Sequence, residues 1–295
     1  MAQDIPPAGA AGLIPADALA RIPGYEPGQR PDSLTVLSGG TVNQSFRVDT
    51  RAGSFVLRLN AAAAAGLGAN HAREAQLHAA AASAGVAPQL IYADLAGRFM
   101  IMRFVAGAVW KAADFADLPR LCLLGATLRS LHAIAAPAVA AFDLGDILRG
   151  HCARLIAAEP AQRALLESLM EQADAALALC ARGGRQATIV HNDLCHSNLI
   201  QGERLYLIDW EYAAVADPIF DPACVLAYYP DAEPLAQDLL DATGLGASVS
   251  MTMLARARFL FEFLSFLWHR RRRLSTEVAA ADDAVEAALL RRLSV

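Results

Sequence analysis

The sequence lacks several features that would place it in a class at once. Its five cysteines are scattered, odd in number and without a CxxC pair, which argues against a disulfide framework or a zinc ribbon. No uninterrupted apolar run approaches the roughly 18–20 residues that span a membrane. The opening residues, MAQDIPPAGAAG, lack the basic start and apolar core of a signal peptide. We therefore expect a cytoplasmic protein with reduced thiols and no membrane span.

Positive charge and aromatic residues are also scarce. The net charge is −5, so no general attraction to nucleic acid is expected. The one basic run, His269–Arg273, follows an apolar segment and is interpreted as a solvated helix end. Only 7 % of the residues are aromatic, yet 55 % are hydrophobic, which is ample for a packed interior. A chain of 295 residues then predicts one large domain or two lobes.

Apolar periodicity divides the chain into a β-rich and a helical part. From Leu34 onward, alternating apolar and polar residues around Gly and Asn turns predict three strands. A helix capped by Asn70 and closed by Gly85 follows, and then two more strands. From about Lys111 the apolar spacing is helical, with Pro119 suited to a first turn. We predict a loose arm (1–31), an antiparallel β-rich lobe (32–106) and a helical lobe (107–295).

Two polar segments interrupt the helical part, IVHNDLCHSNLI and LYLIDWEYA. In the first, Asp193 and Asn198 stand five residues apart, and Asp209 follows a strand pattern in the second. This spacing suits phosphoryl transfer, in which one Asp accepts a hydroxyl proton while an Asn and a second Asp hold Mg²⁺. An Asx-rich turn is the simpler alternative. A zinc site with His191, Cys195 and His196 as ligands is a further alternative, but no fourth ligand has a suitable spacing.

The same two segments resemble the aminoglycoside phosphotransferase and choline kinase superfamily, and most closely its choline/ethanolamine kinases and thiamine kinase-like proteins. The resemblance covers about Leu34 to Trp268. It implies an α+β, bilobal protein-kinase-like fold with a small antiparallel β-rich N-lobe and a larger helical C-lobe. It also implies ATP and Mg²⁺ as cofactors, with Asp193 as catalytic base and Asn198 and Asp209 as magnesium ligands. Asp221 corresponds to a residue that organises the lower lobe, although a helix cap is an equal alternative.

For the nucleotide, the resemblance nominates residues of the β-rich lobe. The segment LSGGTVNQSFRV stands where the family has its phosphate-covering loop, which points to Gly39, Gly40, Thr41 and Asn43. Arg58 takes the strand position at which protein kinases have Lys, and Glu74, sixteen residues later, is placed to pair with it. Backbone groups of Arg103 and Val105 would contact adenine.

For the acceptor, the resemblance implies a small, cationic alcohol of the choline or ethanolamine type. Glu211 would supply a counter-charge, and Tyr212 and Trp268 aromatic faces, with Tyr228 and Tyr229 as further candidates. The alternative for Trp268 is that it lies on a helix buried on most sides and belongs to the core rather than to a pocket. Thiamine is the next acceptor, followed by aminoglycosides, homoserine or sugars. A non-catalytic nucleotide-binding regulator is the alternative from another class, and the choice between monomer and homodimer stays open.

Overall fold

The computed structural model of the protein describes residues 14–26, 31–37, 43–60, 70–139, 142–275 and 280–294. By its contacts the chain divides into two compact units. Unit 1 is drawn from Met1–Trp110, Ala136–Val139 and His196–Ala213, and unit 2 from Lys111–Ala135, Ala140–Cys195 and Ala214–Val295. The predicted division into consecutive lobes therefore differs in two ways. The first unit runs to Trp110 rather than to residue 106, and 136–139 and 196–213 also group with it.

Unit 1 is built on an antiparallel five-stranded sheet in the order β1-β2-β3-β5-β4. Its elements are α1 (Ala16–Leu19), β1 (Ser33–Leu37), β2 (Gln44–Thr50), β3 (Gly53–Leu59), α2 (His71–Ser83), β4 (Leu90–Ala93), β5 (Phe99–Arg103), β6 (Ala108–Val109), β8 (Leu199–Gln201) and β9 (Leu205–Leu207). The predicted antiparallel sheet with one inserted helix is confirmed.

One face of this sheet carries the core of unit 1, since alternate strand residues point to the same side. The buried pairs are Phe46 and Val48 on β2, Phe55 and Leu57 on β3, and Phe99 and Ile101 on β5. Ile14, Ala18 and Ile22 pack into the same cluster. Their spacing of four residues gives one apolar side to the segment around α1. This part of the predicted loose arm is therefore packed, and the prediction was wrong for it.

Helix α2 begins and ends where the sequence predicts. The Asn70 side chain accepts a hydrogen bond from the Arg73 amide at 3.0 Å, which caps the first turn. Past the last turn, Gly85 has a φ of +74°, a left-handed conformation that glycine adopts without strain. The buried side of α2 carries Glu74, Leu77, His78 and Ala81. An acidic residue on this buried side requires a partner, and the site described below supplies it.

A small second sheet explains why 196–213 belongs to unit 1. Strands β6, β8 and β9 pair antiparallel in the order β6-β8-β9. The Trp110 amide donates to Leu199 O at 3.0 Å, and the Leu207 amide donates to Val86 O at 2.9 Å. These backbone hydrogen bonds fix the hairpin of β8 and β9 to two segments of unit 1, the residue after β6 and the connection between α2 and β4.

In the residues that the structure describes, the regular elements of unit 2 are helices and one strand pair. Its elements are α3 (Leu118–His132), α4 (Leu144–Ala158), α5 (Arg163–Ala181), β7 (Thr188–Val190), β10 (Ala214–Ala216), α6 (Phe220–Tyr228), α7 (Ala236–Thr243), α8 (Met251–Ser275) and α9 (Ala280–Leu293). Pro119 lies in the first turn of α3, as predicted. Helix α8 is central, since α4, α5, α6 and α9 all pack against it. Strands β7 and β10 pair antiparallel.

The basic run at the end of α8 makes ion pairs rather than forming a merely solvated helix end. Arg270 pairs with Glu159 at 2.7 Å and also with Glu286, while Arg273 pairs with Asp283 at 3.1 Å. These contacts join the end of α8 to the end of α4 and to α9. Within the described ranges, no helix combines the length and the apolar character needed to cross a membrane.

Candidate active site

A buried guanidinium, that of Arg58, is the centre of the polar cluster in unit 1. Its side chain, on β3, lies on the sheet face opposite the core and is 6 % exposed. Nη2 lies 2.5 Å from Glu74 Oε1, and Nη1 donates to Asp209 Oδ1 at 2.8 Å. Nε donates to Asn60 Oδ1 at 2.9 Å. The predicted pairing of Arg58 with Glu74 is present, and Asp209 joins it.

Glu74 is held in its charged form by this arrangement. The side chain is only 1 % exposed, and burial by itself would raise its pKa. Hydrogen bonding with His71, 3.4 Å away, and the charge and hydrogen bond of Arg58 outweigh burial, so the Glu74 pKa lies below its ordinary value. A buried carboxylate with such partners is costly to leave unpaired. Removing Arg58 should therefore disturb α2 as well as the site.

The turn that carries Asp209 is anchored by its neighbour Trp210. Asp209 has a φ of 62°, in the left-handed region that Asp tolerates better than most residues. Trp210 is fully buried, its Nε1 donates to Leu207 O at 3.0 Å, and its ring centroid lies 6.1 Å from that of His78 on α2. The anchored indole fixes the direction in which the chain leaves β9, and hence the position of Asp209.

Glu211 adds a third carboxylate to the cluster. It is 7 % exposed and accepts a hydrogen bond from Asn43 Nδ2 at 3.1 Å. Burial and, next in size, the charge of Asp209 raise the pKa of Glu211 to about 7, although Arg58 and Asn43 oppose the rise. One guanidinium thus faces three carboxylates, those of Glu74, Asp209 and Glu211. The repulsion from Asp209 that helps to raise the Glu211 pKa would be relieved by a bound cation.

The two predicted magnesium ligands belong to one hairpin of unit 1. Asn198 is buried at the end of a 3₁₀ turn, His196–Asn198, and its backbone oxygen accepts from the Ile208 amide at 2.9 Å. Asp209 directly follows Ile208 in the chain, and its side chain is 35 % exposed. In the part of the chain that the structure describes, no three His, Cys, Asp or Glu side chains form a metal cluster. An amide and a carboxylate oxygen fit Mg²⁺, which usually keeps water and phosphate oxygens as its other ligands.

The remaining predicted nucleotide contacts are only partly described. Gly39, Gly40 and Thr41 lie outside the described residues. The Arg103 amide donates to Gln89 O at 2.8 Å, so it is not available as a donor for adenine. The adenine contact stays a prediction that rests on the Val105 backbone and the Arg103 carbonyl.

In unit 2, the loop after β7 carries Asp193, and Asp221 on α6 accepts hydrogen bonds from the backbone amides of this loop. Asp221 is fully buried. Its Oδ1 accepts from the amides of His191 and Asn192 at 2.9 and 3.0 Å, and its Oδ2 lies 2.9 Å from His132 Nε2. Asn192 has a φ of 62°, which an Asn tolerates well. These contacts match the organising role predicted for Asp221 rather than that of a simple helix cap.

Asp193 itself contacts a tyrosine that the sequence had nominated for another role. Tyr228 Oη donates to Asp193 Oδ1 at 2.8 Å, and the Asp193 amide donates to His191 Nδ1 at 3.3 Å. Cys224 Sγ donates to Asn192 O at 3.4 Å. Sequence reasoning missed the roles of Cys224 and Tyr228 toward this loop. Helical spacing places Asp221, Cys224 and Tyr228 on one side of α6, but it does not indicate which loop they contact.

The predicted acceptor residues are divided between the two units. Glu211 and Tyr212 belong to unit 1, whereas Trp268 lies on α8 in unit 2. Trp268 is half-buried, and the Arg272 guanidinium lies 5.3 Å from its ring centroid. A substrate cation at this face of the indole would have to displace or share the place of Arg272. The contribution of Trp268 to a cation pocket stays a prediction.

Comparison with known proteins decides the family. The family model described as "Phosphotransferase enzyme family" matches residues 33–260, which is well over half of the chain. The chain belongs to this family. The predicted superfamily is thereby confirmed, and so is, at the level of the family, the prediction of a phosphotransferase enzyme.

A curated relative and several solved structures extend the comparison. Protein LicA of Haemophilus influenzae is 51 % identical over 37 residues, a match that spans 12 % of this chain and 14 % of that protein. A choline/ethanolamine kinase family protein from Mesorhizobium loti has a TM-score of 0.76 and 23 % identity, covering 95 % of this chain and 92 % of that one.

Two further solved structures share the architecture. Choline kinase LicA from Streptococcus pneumoniae has a TM-score of 0.73 at 19 % identity over 88 % of this chain and 94 % of that one. The ADP-bound aminoglycoside phosphotransferase APH(2'')-Ib has a TM-score of 0.62 at 19 % identity, covering 89 % of this chain and 92 % of that one. At these identities the likeness shows the fold, and the predicted protein-kinase-like α+β fold is confirmed.

Proposed function

We propose that the protein transfers the γ-phosphate of Mg·ATP to the hydroxyl of a small, cationic alcohol of the choline or ethanolamine type. The observation that carries the proposal is the Arg58 cluster. Arg58 contacts Glu74 and Asp209, which lie 16 and 151 positions away in the chain. A buried guanidinium between two carboxylates is suited to direct its remaining donor capacity at phosphate.

In the proposed reaction each group has one task. Asp193 accepts the proton of the acceptor hydroxyl, and Asn198 and Asp209 hold Mg²⁺. The metal, when bound, neutralises charge that develops on the phosphates. Arg58 and Asn43 contribute to the nucleotide site, together with Gly39, Gly40 and Thr41. ADP in one similar structure and AMP in another, a LicA protein, support an adenine nucleotide.

The choice of acceptor class has two supports. Solved structures with similar folds include proteins named as choline kinase, choline/ethanolamine kinase and ethanolamine kinase. Within this chain, Glu211 supplies a carboxylate beside Asp209, and a carboxylate or an aromatic face attracts an ammonium group. We also propose a cytoplasmic location, because all five cysteines are free thiols in the structure.

The test is ATP consumption by the full-length protein with Mg²⁺ and a panel of alcohols: choline, ethanolamine, thiamine, homoserine, kanamycin and glucose. We expect the highest kcat/KM with choline or ethanolamine. Preference for thiamine would keep the cationic-alcohol class and change its member. Highest turnover of glucose or kanamycin would overturn the acceptor. ATP binding without turnover of any alcohol would favour a nucleotide-binding regulator.

A matched pair of alcohols tests the charge directly. The neutral 3,3-dimethylbutan-1-ol keeps the shape and hydroxyl of choline but loses the cation, which should cost roughly 5- to 150-fold in kcat/KM. If the Trp268 ring contacts the acceptor, Trp268→Ala should lower the ratio of kcat/KM for choline to kcat/KM for the neutral alcohol, and Trp268→Phe should preserve this ratio. Equal kcat/KM for the two alcohols would reject a cation pocket and leave phosphoryl transfer itself untouched.

A further inference from the structure

Asn60, the residue directly after β3, connects the Arg58 guanidinium to the turn between β4 and β5. Its Oδ1 accepts from Arg58 Nε at 2.9 Å, and its Nδ2 donates to Gly97 O at 2.9 Å. The backbone amide of Asn60 donates to Arg98 O at 2.9 Å. Asn60 is therefore fixed to this turn by its backbone and by its side chain, and its amide oxygen holds Arg58.

The partners of the Asn60 amide determine which way the amide faces. The Arg58 Nε–H can only donate, so it requires the amide oxygen, and the Gly97 carbonyl can only accept, so it requires the amide nitrogen. An amide turned over would lose both hydrogen bonds and bring like groups together. The two contacts thus require one and the same orientation of the Asn60 side chain.

Gly97 allows this arrangement through its backbone conformation. Its φ of +70° is left-handed, and a Cβ at this position would lie 2.9 Å from Cδ2 of His71. His71 in turn places Nδ1 3.3 Å from Asn60 Nδ2 and 3.4 Å from Glu74 Oε2. Since Glu74 also pairs with Arg58, these contacts close into a ring of four side chains.

The contact with Asn60 fixes the plane of the Arg58 guanidinium. Nε joins this planar group to the rest of the side chain, so a hydrogen bond at Nε restricts the rotation of Nη1 and Nη2. Nη2 contacts Glu74 and, at 3.4 Å, Met100 Sδ, whereas Nη1 contacts Asp209 at 2.8 Å. Holding Nε therefore keeps Nη1 directed at Asp209, the proposed magnesium ligand.

We propose that Asn60 is a positioning residue of the nucleotide site, which holds Arg58 Nε so that Nη1 is directed at the phosphates of Mg·ATP beside Asp209. This inference rests on the proposed function, since it takes Arg58 as a phosphate contact. Asn60 acts through a guanidinium that is oriented before the nucleotide binds. A group that is already oriented loses less freedom on binding, which strengthens the binding.

The first measurement is titration calorimetry of the full-length protein with Mg·ATP, which requires no acceptor alcohol. Asn60→Ala should raise the Kd about fivefold, because Arg58 keeps its charge and its carboxylate partners but loses its fixed plane. Ser33→Ala is the control, since it removes a hydrogen bond to Asp49 elsewhere on the same sheet and should leave the Kd within about twofold. A Kd as low as that of the wild type in Asn60→Ala would overturn the proposal.

A double-mutant cycle shows whether Asn60 acts through Arg58. Arg58→Lys replaces Nε–H by a methylene group, so the contact with Asn60 Oδ1 is already lost in that variant. Adding Asn60→Ala to Arg58→Lys should therefore change the Kd by less than about twofold. Multiplication of the two separate losses would show that Asn60 acts elsewhere, and it would overturn the proposal.

Nuclear magnetic resonance tests the contact without nucleotide. The Arg58 Nε–H signal, identified by its absence from Arg58→Lys, should exchange with water at least about tenfold more slowly than those of exposed arginines. In Asn60→Ala the exchange should become faster. Rapid exchange in the wild type, or equal exchange in the wild type and Asn60→Ala, would overturn the proposal. If Asn60→Ala does not fold, the exchange rate in the wild type decides.

Failure of the proposed function has a different signature. A wild type that binds Mg·ATP but transfers phosphate to no alcohol of the panel would overturn the proposed activity, and the Kd values would still decide the role of Asn60. A wild type that does not bind Mg·ATP would overturn both. In contrast, an active wild type with an unchanged Kd in Asn60→Ala would overturn the positioning role alone.

Discussion

The two polar centres of the protein are built on opposite principles. In the Arg58 cluster of unit 1, one buried guanidinium partly compensates the charge of three carboxyl groups, those of Glu74, Asp209 and Glu211. The Asp193 loop of unit 2 is held mainly by hydrogen bonds between backbone amides and the single carboxylate of Asp221. Removing one charged group from the Arg58 cluster leaves its buried partners uncompensated, whereas changing the Asp193 side chain leaves the backbone contacts of its loop in place.

The largest effect is expected at Asp193, the proposed catalytic base on the loop after β7. Asp193→Asn should lower kcat by about 10²–10⁴-fold, because the proton acceptor is lost while the loop contacts remain. Titration calorimetry should give a Kd for Mg·ATP within a factor of about two of wild type. Wild-type kcat in this variant would remove Asp193 from the role of base.

The next effect concerns the charge-compensated centre. Asp209→Ala should weaken Mg²⁺-dependent nucleotide binding by about 10²-fold or more, because a metal ligand and a partner of Arg58 are lost together. Asn198→Ala is the comparison, since it removes a neutral ligand and should affect binding less than turnover. Calorimetry with and without Mg²⁺ measures both. Unchanged Mg·ATP affinity in Asp209→Ala would separate Asp209 from the metal.

A smaller effect is expected when the charge of Arg58 is kept and its geometry is changed. Arg58→Lys retains one positive charge but cannot contact Glu74, Asp209 and Asn60 at once, since an ammonium lacks the planar fork. The KM for ATP should rise about tenfold, with the ratio of kcat/KM values between alcohols unchanged. Arg47→Lys, on the neighbouring strand and paired with Asp49, is a surface control. A normal KM for ATP in Arg58→Lys would place Arg58 outside the phosphate site.

The features that could be predicted from the sequence are those that depend on neighbouring residues. Asn70 and Gly85 mark the ends of α2 because capping and left-handed closure involve only a few neighbouring residues. The partnership of Arg58 and Glu74 followed from the family resemblance. Sequence periodicity did not predict that Asp209 would join them, although the resemblance had placed it near the metal.

What escaped prediction depends on contacts between distant segments. The Tyr228–Asp193 bond spans 35 positions and the His132–Asp221 contact spans 89. No local pattern encodes such distances. The segment around α1 was predicted to be loose because it is rich in Ala, Pro and Gly. Its apolar residues, spaced by four, stabilise it only through their packing against the five-stranded sheet. Arg272 over Trp268 was missed for the same reason, since a basic run reveals nothing of the direction of each side chain.

The smallest effect concerns His151, a buried base in unit 2 that lies close to two arginines. His151 on α4 is buried, and Arg271 Nη1 lies 3.0 Å from its Nδ1. Burial, followed by the charges of Arg271 and Arg154, lowers the pKa of His151 to about 4 from the ordinary 6.5. Glu74 in unit 1 shows the contrast, because its positive partners favour the charged form that burial opposes.

The sign of the resulting pH dependence follows from proton binding. Between about pH 6.5 and 4 the unfolded chain binds a proton at His151 that the folded protein does not bind. The contribution of neutral His151 to the free energy of unfolding is therefore present in full above pH 6.5, and it is lost progressively as the pH is lowered toward 4. We expect about 2 kcal/mol of stability to be lost between pH 7 and pH 5, measured by urea unfolding at the two pH values. His151→Gln, which keeps an acceptor for Arg271, should reduce the difference between the two pH values. An equal difference in the variant would show that other groups account for the acid sensitivity.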